Sequence, residues 1–273
     1  MDEKKEEEFN RIINDIKTIK IQGARNIAKA ALKAYLLFPS GESKRRLLSS
    51  RPTEPMMFHV LHMAEEGIND IEIINHFDTS QEKINKNVFA LIKDEDKIFT
   101  QCHSTNVINS LIYSKEKGRK FEVYNTETRP LFQGRKTAEE LEKAGIKVTM
   151  FVDSAAATAI EKENPEDKIY TDKIFLGADA LLKDGIINKI GSGMFAELAN
   201  KNKVPVYIVA DSWKFSYNKI PIEKRNINEI WDNAPKDIKI KNPAFEFVNK
   251  KYITGIITEL GLMKYNEFVK LME

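Results

Sequence analysis

A single cysteine, Cys102, stands at the end of a strand-like run, directly before the small polar residues 103–106. A lone cysteine in a globular chain is usually a small buried hydrophobe. The polar run, however, is typical of a helix start, and a helix N-terminus favours the thiolate form of a nearby cysteine. The position therefore predicts a chemical role for Cys102, with a buried structural thiol as the alternative.

Asp179 is the second residue whose position suits chemistry, because it follows the small pair Gly177-Ala178 after another strand-like run. Aspartate in a loop commonly serves only as a turn or cap residue. Small neighbours, however, let a substrate approach closely, and a carboxyl group crowded by apolar strand ends can hold a proton near neutral pH. Both interpretations of Asp179 stay open from its position alone.

Four cations are placed where an anion could bind. Lys189 and Lys214 follow strand-like runs, whereas Arg25 lies just after Gly23 and Arg51 precedes a proline. Most lysines and arginines are ordinary solvated surface charges. A phosphate site that closes between two parts of a chain would use the amides exposed by Gly23 and bidentate guanidinium groups.

The remaining motifs favour no metal or nucleotide site. The histidines show no metal-ligand spacing with cysteines or carboxylates and are interpreted as structural: His59, His62, His76 and His103. The run Gly191-Ser192-Gly193 lacks the context of a dinucleotide-binding loop. No Walker loop, GxSxG elbow or basic-aromatic surface is present. We therefore expect no cofactor, no metal and no nucleic-acid partner.

Composition narrows the class of protein. The chain has 273 residues, 42% of them hydrophobic and 31% charged, which excludes a disordered tail, a collagen-like chain and a small disulfide scaffold. Its 43 basic and 41 acidic residues give a net charge of +2, so no field spans the whole molecule. Any anion binding must come from a local concentration of charge.

The compartment follows from the same composition. One cysteine forms no intrachain disulfide, and the start MDEKKEEEFN lacks the basic and apolar regions of a secretory signal. The apolar runs are far shorter than the roughly twenty residues needed to span a bilayer. We expect a cytoplasmic protein with no membrane partner.

The residues that position these groups fall into two halves. Apolar residues recur at spacings of three and four over residues 6–94, which predicts helices and a helical N-terminal domain over residues 1–94. Breaks are expected at 38–44, where Ser43 or Glu42 could cap a helix, and at the two prolines of 51–56.

After residue 94 short β-rich runs alternate with helical stretches, which predicts a Rossmann-like domain over residues 95–273 with a mainly parallel, doubly wound sheet. The expected strands are KIFTQ, FEVYN, VTMFV, KIFLG and VPVYIVA. The expected helices lie near Asn106–Lys117, Thr137–Ala144, Ser154–Glu163 and Ser192–Lys201. Ligands bind such sheets beyond the carboxyl ends of the strands, and Cys102, Asp179, Lys189 and Lys214 all fall there.

The loop strings TQCHST, ETRPLFQGRKTAEEL, DSAA, GADALLKDGIINKIGS and VADSWKF together resemble one superfamily. It joins methylthioribose-1-phosphate isomerase, archaeal ribose-1,5-bisphosphate isomerase and the regulatory alpha, beta and delta subunits of the translation initiation exchange factor. The resemblance covers roughly residues 22–261 and implies a helical domain followed by a Rossmann-like domain.

In the isomerases of this superfamily a cysteine and an aspartate carry the chemistry, and the matching positions are Cys102 and Asp179. The resemblance also implies a set of phosphate and sugar ligands: Gln22, Gly23, Ala24, Arg25, Arg51, Ser104, Thr105, Asn106, Gln133, Asn188, Lys189 and Lys214. This chain departs from the usual pattern at Gln22, where arginine is common, and at His103, where asparagine is common.

The strings DGIINKIG and SWKF and the short helical half look more like the ribose-bisphosphate enzyme, which implies isomerisation of ribose 1,5-bisphosphate to ribulose 1,5-bisphosphate in AMP salvage. Methylthioribose-1-phosphate isomerase and a non-catalytic translation-factor subunit that binds a sugar phosphate or nucleotide are the alternatives. The resemblance also implies a homo-oligomer, a dimer or hexamer, formed through the Rossmann-like half. The apolar residues that could form its interface could equally be core: Phe245, Phe247, Val248, Tyr252, Ile253, Ile256 and Ile257.

Overall fold

The computed structural model describes residues 3–161, 170–222 and 225–273. The apolar spacing of the N-terminal half produces helices, as predicted, and their apolar faces enclose a core that includes Ile16, Ile27 and Met57. These helices are α1 (Glu3–Lys17), α2 (Ala24–Leu37), α3 (Gly41–Ser50), α4 (Pro55–Glu65) and α5 (Asp70–Leu91).

Two of the helix starts have clear local causes. The cap of α3 is Ser40, whose side chain accepts a hydrogen bond from the Ser43 backbone N–H at 3.2 Å. The expectation that Ser43 or Glu42 would cap was wrong, because Ser40 is the last extended residue and Gly41 is already helical. Pro55 occupies the first turn of α4. Backbone N–H groups in the first turn make no intrahelical hydrogen bond, so a proline there costs the helix nothing.

The second half contains two sheets. In chain order the strands are β1 (Asp96–Thr100), β2 (Phe121–Thr126), β3 (Lys147–Phe151), β4 (Lys173–Leu176), β5 (Ala180–Leu182), β6 (Gly185–Lys189), β7 (Val206–Val209), β8 (Phe245–Asn249), β9 (Gly255–Thr258) and β10 (Gly261–Met263). The main sheet has the order β10-β9-β7-β4-β1-β2-β3, and only β10 runs antiparallel to its neighbour. Strands β5, β6 and β8 form a small antiparallel sheet.

Helices cover both faces of the main sheet. They are α6 (Thr105–Glu116), α7 (Gln133–Lys143), α8 (Ala156–Ile160), α9 (Ser192–Lys201) and α10 (Tyr265–Met272). Successive strand residues alternate between two cores: Ile98 packs with α5, α6 and α7, and Phe99 packs with α8, α9 and α10. The predicted fold class, a helical region followed by a mainly parallel doubly wound sheet, is confirmed.

The sequence located five strands and missed the others. The five expected strands are β1, β2, β3, β4 and β7. Helix α7 begins four residues before its expected start. Phe132 adopts a left-handed conformation with a φ of 57°, and the helix begins at the next residue, Gln133. Helix α8 ends at Ile160, and the expected end at Glu163 lies outside the described residues. Strands β5 and β10 have three residues each and carry too little periodicity to be recognised.

The C-terminal apolar cluster is mostly core. Val248, Ile253, Ile256 and Ile257 are buried, whereas Phe247 is 44% exposed. Across the described residues, no helix combines the length and the apolar character needed to cross a membrane.

Helix α5 belongs to both halves of the molecule. Its first part contributes Ile73 and Phe77 to the helical core, and its last part contributes Ile84 and Val88 to the core beneath the sheet. This shared helix places the helical half over the carboxyl edge of the sheet.

Candidate active site

A cavity of about 510 Å³ lies between the two halves, at the carboxyl ends of β1 and β4. These strands are neighbours, and the chain continues from them to opposite sides of the sheet, which is where open parallel sheets bind ligands. The cavity is lined by all fourteen expected catalytic and substrate-binding residues: Gln22, Gly23, Ala24, Arg25, Arg51, Cys102, Ser104, Thr105, Asn106, Gln133, Asp179, Asn188, Lys189 and Lys214.

Cys102 is held in an unusual backbone conformation. Its φ of 64° lies in the left-handed region, which is uncommon for any residue with a side chain. The Thr128 hydroxyl accepts a hydrogen bond from the Cys102 N–H at 3.0 Å, and the Thr137 hydroxyl donates to the Cys102 carbonyl at 2.6 Å. Strained residues persist only where their surroundings hold them, and such residues concentrate at functional sites.

The loop that carries Thr128 is itself anchored by Asp153. One carboxylate oxygen accepts from the Thr128 N–H at 2.9 Å, and the other accepts from the Arg129 N–H at 2.7 Å. Asp153 therefore shapes the loop after β2, which in turn fixes the backbone of Cys102.

Burial raises the pKa of the Cys102 thiol to about 11. The Lys189 ammonium and a backbone hydrogen bond from His103 act in the opposite direction, whereas the carboxylates of Asp179 and Asp153 raise the pKa further. The thiol is therefore protonated at neutral pH in this state, and Lys189 is the charge that favours its ionisation.

The approach of α6 to the Asp179 loop depends on Gly177. A Cβ at this glycine would lie 2.5 Å from the Ser104 hydroxyl oxygen and 2.7 Å from the Ser104 Cβ, so Ser104 would have to move away. The Asp179 N–H donates to the Ile187 carbonyl at 2.9 Å, and Lys214 Nζ donates to the Ala178 carbonyl at 2.7 Å. These contacts bring the N-terminus of α6, Asp179 and Lys214 together on one wall.

The pair Asn188-Lys189 ends β6 and is buried. Asn188 Nδ2 donates to the Ser192 hydroxyl, which donates to Gln101 Oε1, each at 2.8 Å. Gln101 Nε2 in turn donates to the Ile190 carbonyl at 2.7 Å. These hydrogen bonds connect the loop after β6 to the loop after β1, and so fix the position of Lys189 relative to Cys102.

The helical half supplies the opposite wall. Arg25 forms an ion pair with Asp78, and Arg51 lies 3.5 Å from Glu54. Gln22 is exposed, and its Nε2 donates to the Ile19 carbonyl at 3.0 Å. Asn106 Nδ2 donates across the two halves to Gln81 Oε1 at 3.0 Å.

The cavity concentrates positive charge. Among its described lining residues, seven are basic and three are acidic, although the whole chain carries a net charge of only +2. Three of the seven were missed by sequence reasoning: Lys29, Lys136 and Arg225. Lys29 follows Arg25 by one helical turn and Lys136 follows Gln133 by three residues, so helical spacing was a usable signal for both. Arg225 lies in a segment without periodicity and gave none.

Two histidines lie close to the cavity. His103 Nδ1 lies 3.2 Å from the Thr137 hydroxyl, and burial lowers the pKa of His103. His76 Nε2 lies 3.2 Å from Asp211 Oδ1. One nitrogen of His76, one carboxylate oxygen of Asp211 and one of Glu259 all lie within 4.8 Å of one another. His76 and Asp211 are 135 positions apart, so no sequence spacing could show this group.

The group of His76, Asp211 and Glu259 has donors suited to a divalent cation, but hydrogen bonds already engage them. Asp211 Oδ1 accepts from the Trp213 N–H at 2.9 Å, and a Glu259 oxygen accepts from the Ser212 N–H at 3.0 Å. Burial and the Asp211 charge raise the pKa of Glu259. The arrangement is that of a network which holds the turn after β7.

Comparison with known proteins agrees with the fold. Residues 42–265 match the model of the initiation factor 2 subunit family. A ribose 1,5-bisphosphate isomerase of Methanocaldococcus jannaschii is 34% identical, with 91% of this chain and 89% of the relative covered. A putative methylthioribose-1-phosphate isomerase of Methanosphaera stadtmanae is 30% identical, with 94% and 90% covered.

Solved structures show the same fold at lower identity. The translation initiation factor eIF-2B of Pyrococcus horikoshii OT3 superposes with a TM-score of 0.79 at 23% identity, over 94% of this chain and 96% of that chain. At this identity the likeness concerns the fold alone.

Proposed function

The chain belongs to the initiation factor 2 subunit family, and from that premise we propose that it is an aldose-ketose isomerase which converts ribose 1,5-bisphosphate to ribulose 1,5-bisphosphate. One observation carries the proposal. A thiol and a carboxyl group, Cys102 and Asp179, line the same cavity, and that cavity has an excess of cations from both halves of the molecule.

The reaction needs an acid at the ring oxygen and a base at C2. Asp179 is the proposed acid: it protonates the ring oxygen as the bond between that oxygen and C1 breaks. Cys102 is the proposed base, and its thiolate takes the proton from C2 to leave an enol between C1 and C2. The thiol then returns a proton to C1 while the Asp179 carboxylate takes the proton of the C2 hydroxyl. Both groups end in the state in which they began.

The base role requires the thiolate form of Cys102, which burial opposes. Lys189 is the residue placed to favour that form, because its charge lowers the pKa of the thiol. Asn188, Ser192 and Gln101 link the Lys189 loop to the Cys102 loop and so keep this charge near the thiol.

The charge of the cavity supports a bisphosphate as the substrate. A sugar bisphosphate carries up to about four negative charges, so its binding must rest on concentrated donors. Arg25 and Arg51 come from the helical half, whereas Lys189 and Lys214 come from the sheet half. Binding between the halves would exclude water from the enol intermediate. A second phosphate gives Lys214 a partner that methylthioribose 1-phosphate lacks.

The same residues argue for an enzyme over a binding module. A protein that needed only the fold has no chemical reason to hold Cys102 in a left-handed conformation beside a carboxyl group. The proposed reaction uses only this thiol and this carboxyl group as its acid and base. We also propose a cytoplasmic homo-oligomer, because Cys102 is a free thiol and Phe247 is an exposed aromatic residue of β8 in the small sheet.

The test is a direct assay of the purified chain with ribose 1,5-bisphosphate and, separately, with methylthioribose 1-phosphate. The expected result is ribulose 1,5-bisphosphate from the first and little or no turnover of the second. Preference for methylthioribose 1-phosphate would reassign the substrate within the family. Turnover of neither, together with stable capture of a translation factor, would refute the enzyme in favour of a translation-factor subunit.

A further inference from the structure

Trp213 is a residue of the sheet half that packs on the core of the helical half. It lies in the short 3₁₀ turn Ser212–Lys214 after β7, and its side chain contacts a cluster that includes Met56, Val60 and Phe77. Its ring stacks on the His76 ring with centroids 3.4 Å apart and planes parallel, and it meets the edge of Phe77 at 5.7 Å. Aromatic contacts of this kind add to the stabilisation from burial alone.

The turn that carries Trp213 also carries Lys214, one of the cavity cations. Asp211 caps this turn through the Trp213 N–H, and Asp211 Oδ1 also contacts His76 Nε2. Glu259 holds Ser212, and His59 Nε2 lies 2.9 Å from the Phe215 carbonyl. Two histidines of the helical half therefore fix both ends of the turn from which Lys214 reaches the Ala178 carbonyl.

The contact continues to the cations of the helical half. Phe77 lies beneath the Arg25 guanidinium at 5.7 Å and the Lys29 ammonium at 5.4 Å. Trp213 thus touches the ring that supports Arg25 and is the direct neighbour of Lys214. These contacts link the turn that carries Lys214 to the aromatic ring beneath Arg25.

We propose that Trp213 is a positioning residue: docked on His76 and Phe77, it sets the separation between Lys214 and Arg25 that a sugar bisphosphate requires. The inference rests on the proposed function for its ligand. It assigns Trp213 no contact with the substrate. Its effect on affinity passes through Lys214, which distinguishes it from a residue that merely stabilises the fold.

A double-mutant cycle tests this role. Dissociation constants for ribose 1,5-bisphosphate are measured by calorimetry for the wild type, Trp213→Ala, Lys214→Ala and the double variant. Trp213→Ala is expected to weaken binding about tenfold in the wild type and at most about threefold when Lys214 is already absent, because contacting residues are energetically coupled. Trp213→Phe, which keeps a ring for His76, should restore affinity to within about threefold of the wild type.

The other tryptophan, Trp231, provides the control because it is 49% exposed and does not line the cavity. Trp231→Phe should bind normally, and in that background the emission of Trp213 should rise when His76→Ala removes the stacked ring. Equal losses from Trp213→Ala in both Lys214 backgrounds would overturn the positioning role. Absence of binding by the wild type would instead refute the proposed function.

Discussion

On the sheet side of the cavity, the backbone of Cys102 donates a hydrogen bond to the Thr128 hydroxyl and accepts one from the Thr137 hydroxyl, and Lys189 is buried at the end of a strand. On the helical side, Arg25 is bound to Asp78, whose side chain is 66% exposed, and Arg51 lies beside Glu54. The first wall is set before the substrate arrives. The second wall must exchange carboxylate partners for phosphate.

This difference teaches how the two walls divide the work. Groups that transfer protons must be held in one geometry, because small displacements of reacting atoms are costly. Groups that grip phosphate can exchange partners, because a charge-assisted hydrogen bond to phosphate replaces one to a carboxylate. Substitutions of the proton-transfer groups Cys102 and Asp179 are therefore expected to lower kcat, and substitutions of Arg25 and Arg51 in the helical wall are expected to raise KM.

The largest effect is expected from Asp179→Asn. The amide is nearly the same size but supplies no acidic proton, so kcat should fall about 100- to 10,000-fold with KM little changed. Initial rates of ribulose 1,5-bisphosphate formation measure this. Asp184→Asn is the matched control, since Asp184 is exposed and forms an ion pair with Lys250 outside the cavity. If both variants lost kcat to the same extent, or if Asp179→Asn mainly raised KM, the proposed division between the walls would be wrong.

The next effect concerns the helical wall. Arg25→Ala and Arg51→Ala should each weaken substrate binding about ten- to a hundredfold, the loss expected for one charged hydrogen bond of about 1.5 to 3 kcal/mol. Their kcat values should stay near that of the wild type. Arg45→Ala, which removes an exposed guanidinium paired with Glu42, is the control. Unchanged affinity in both Arg25 and Arg51 variants would show that they are ordinary surface charges.

The pH dependence should reveal the state of the thiol. Because burial raises the pKa of Cys102 to about 11, the thiolate fraction of the free enzyme grows about tenfold for each pH unit between 7 and 9. Activity and iodoacetamide alkylation of this single cysteine should both rise over that range. Lys189→Met removes a charge that lowers the pKa, so alkylation should become slower. A pH-independent alkylation rate would contradict this assignment.

The smallest effect is expected at the edge of the helical wall. Lys29→Ala removes a cation that lies over Phe77 and lines the cavity. Lys29 has no role in the proposed proton transfers. Affinity for the bisphosphate should fall about two- to fivefold, which corresponds to about 0.5 to 1 kcal/mol for a partly exposed charge. Lys33→Ala, one helical turn further along, should have no effect because Lys33 pairs with Glu8.

The sheet wall was more predictable from the sequence than its supports. Cys102 and Asp179 stand at the ends of strands whose apolar runs are evident, and parallel strands place such ends on one edge. Their supports are long-range: Thr137 lies 35 positions from Cys102, and His76 lies 135 positions from Asp211. No local pattern encodes such pairs, so the strained backbone of Cys102 and the docking of Trp213 emerged only with the fold.

The helical wall shows the opposite limit. Its helices follow directly from apolar spacing, but nothing in that spacing tells which exposed cations face the sheet. Arg25 and Arg51 were identified through the superfamily resemblance and their neighbouring Gly23 and Pro52, whereas Lys29 was missed although it lies one turn from Arg25. The missing information was the orientation of α2 over the sheet edge.

The central claim is that Cys102 carries out the proton transfer at C2 while other residues bind the substrate. The most direct test compares Cys102→Ser with the wild type in two measurements, turnover of ribose 1,5-bisphosphate by phosphorus NMR and its dissociation constant by calorimetry. We predict that turnover falls at least about 100-fold while the dissociation constant changes by no more than about threefold. Turnover close to that of the wild type would contradict the claim.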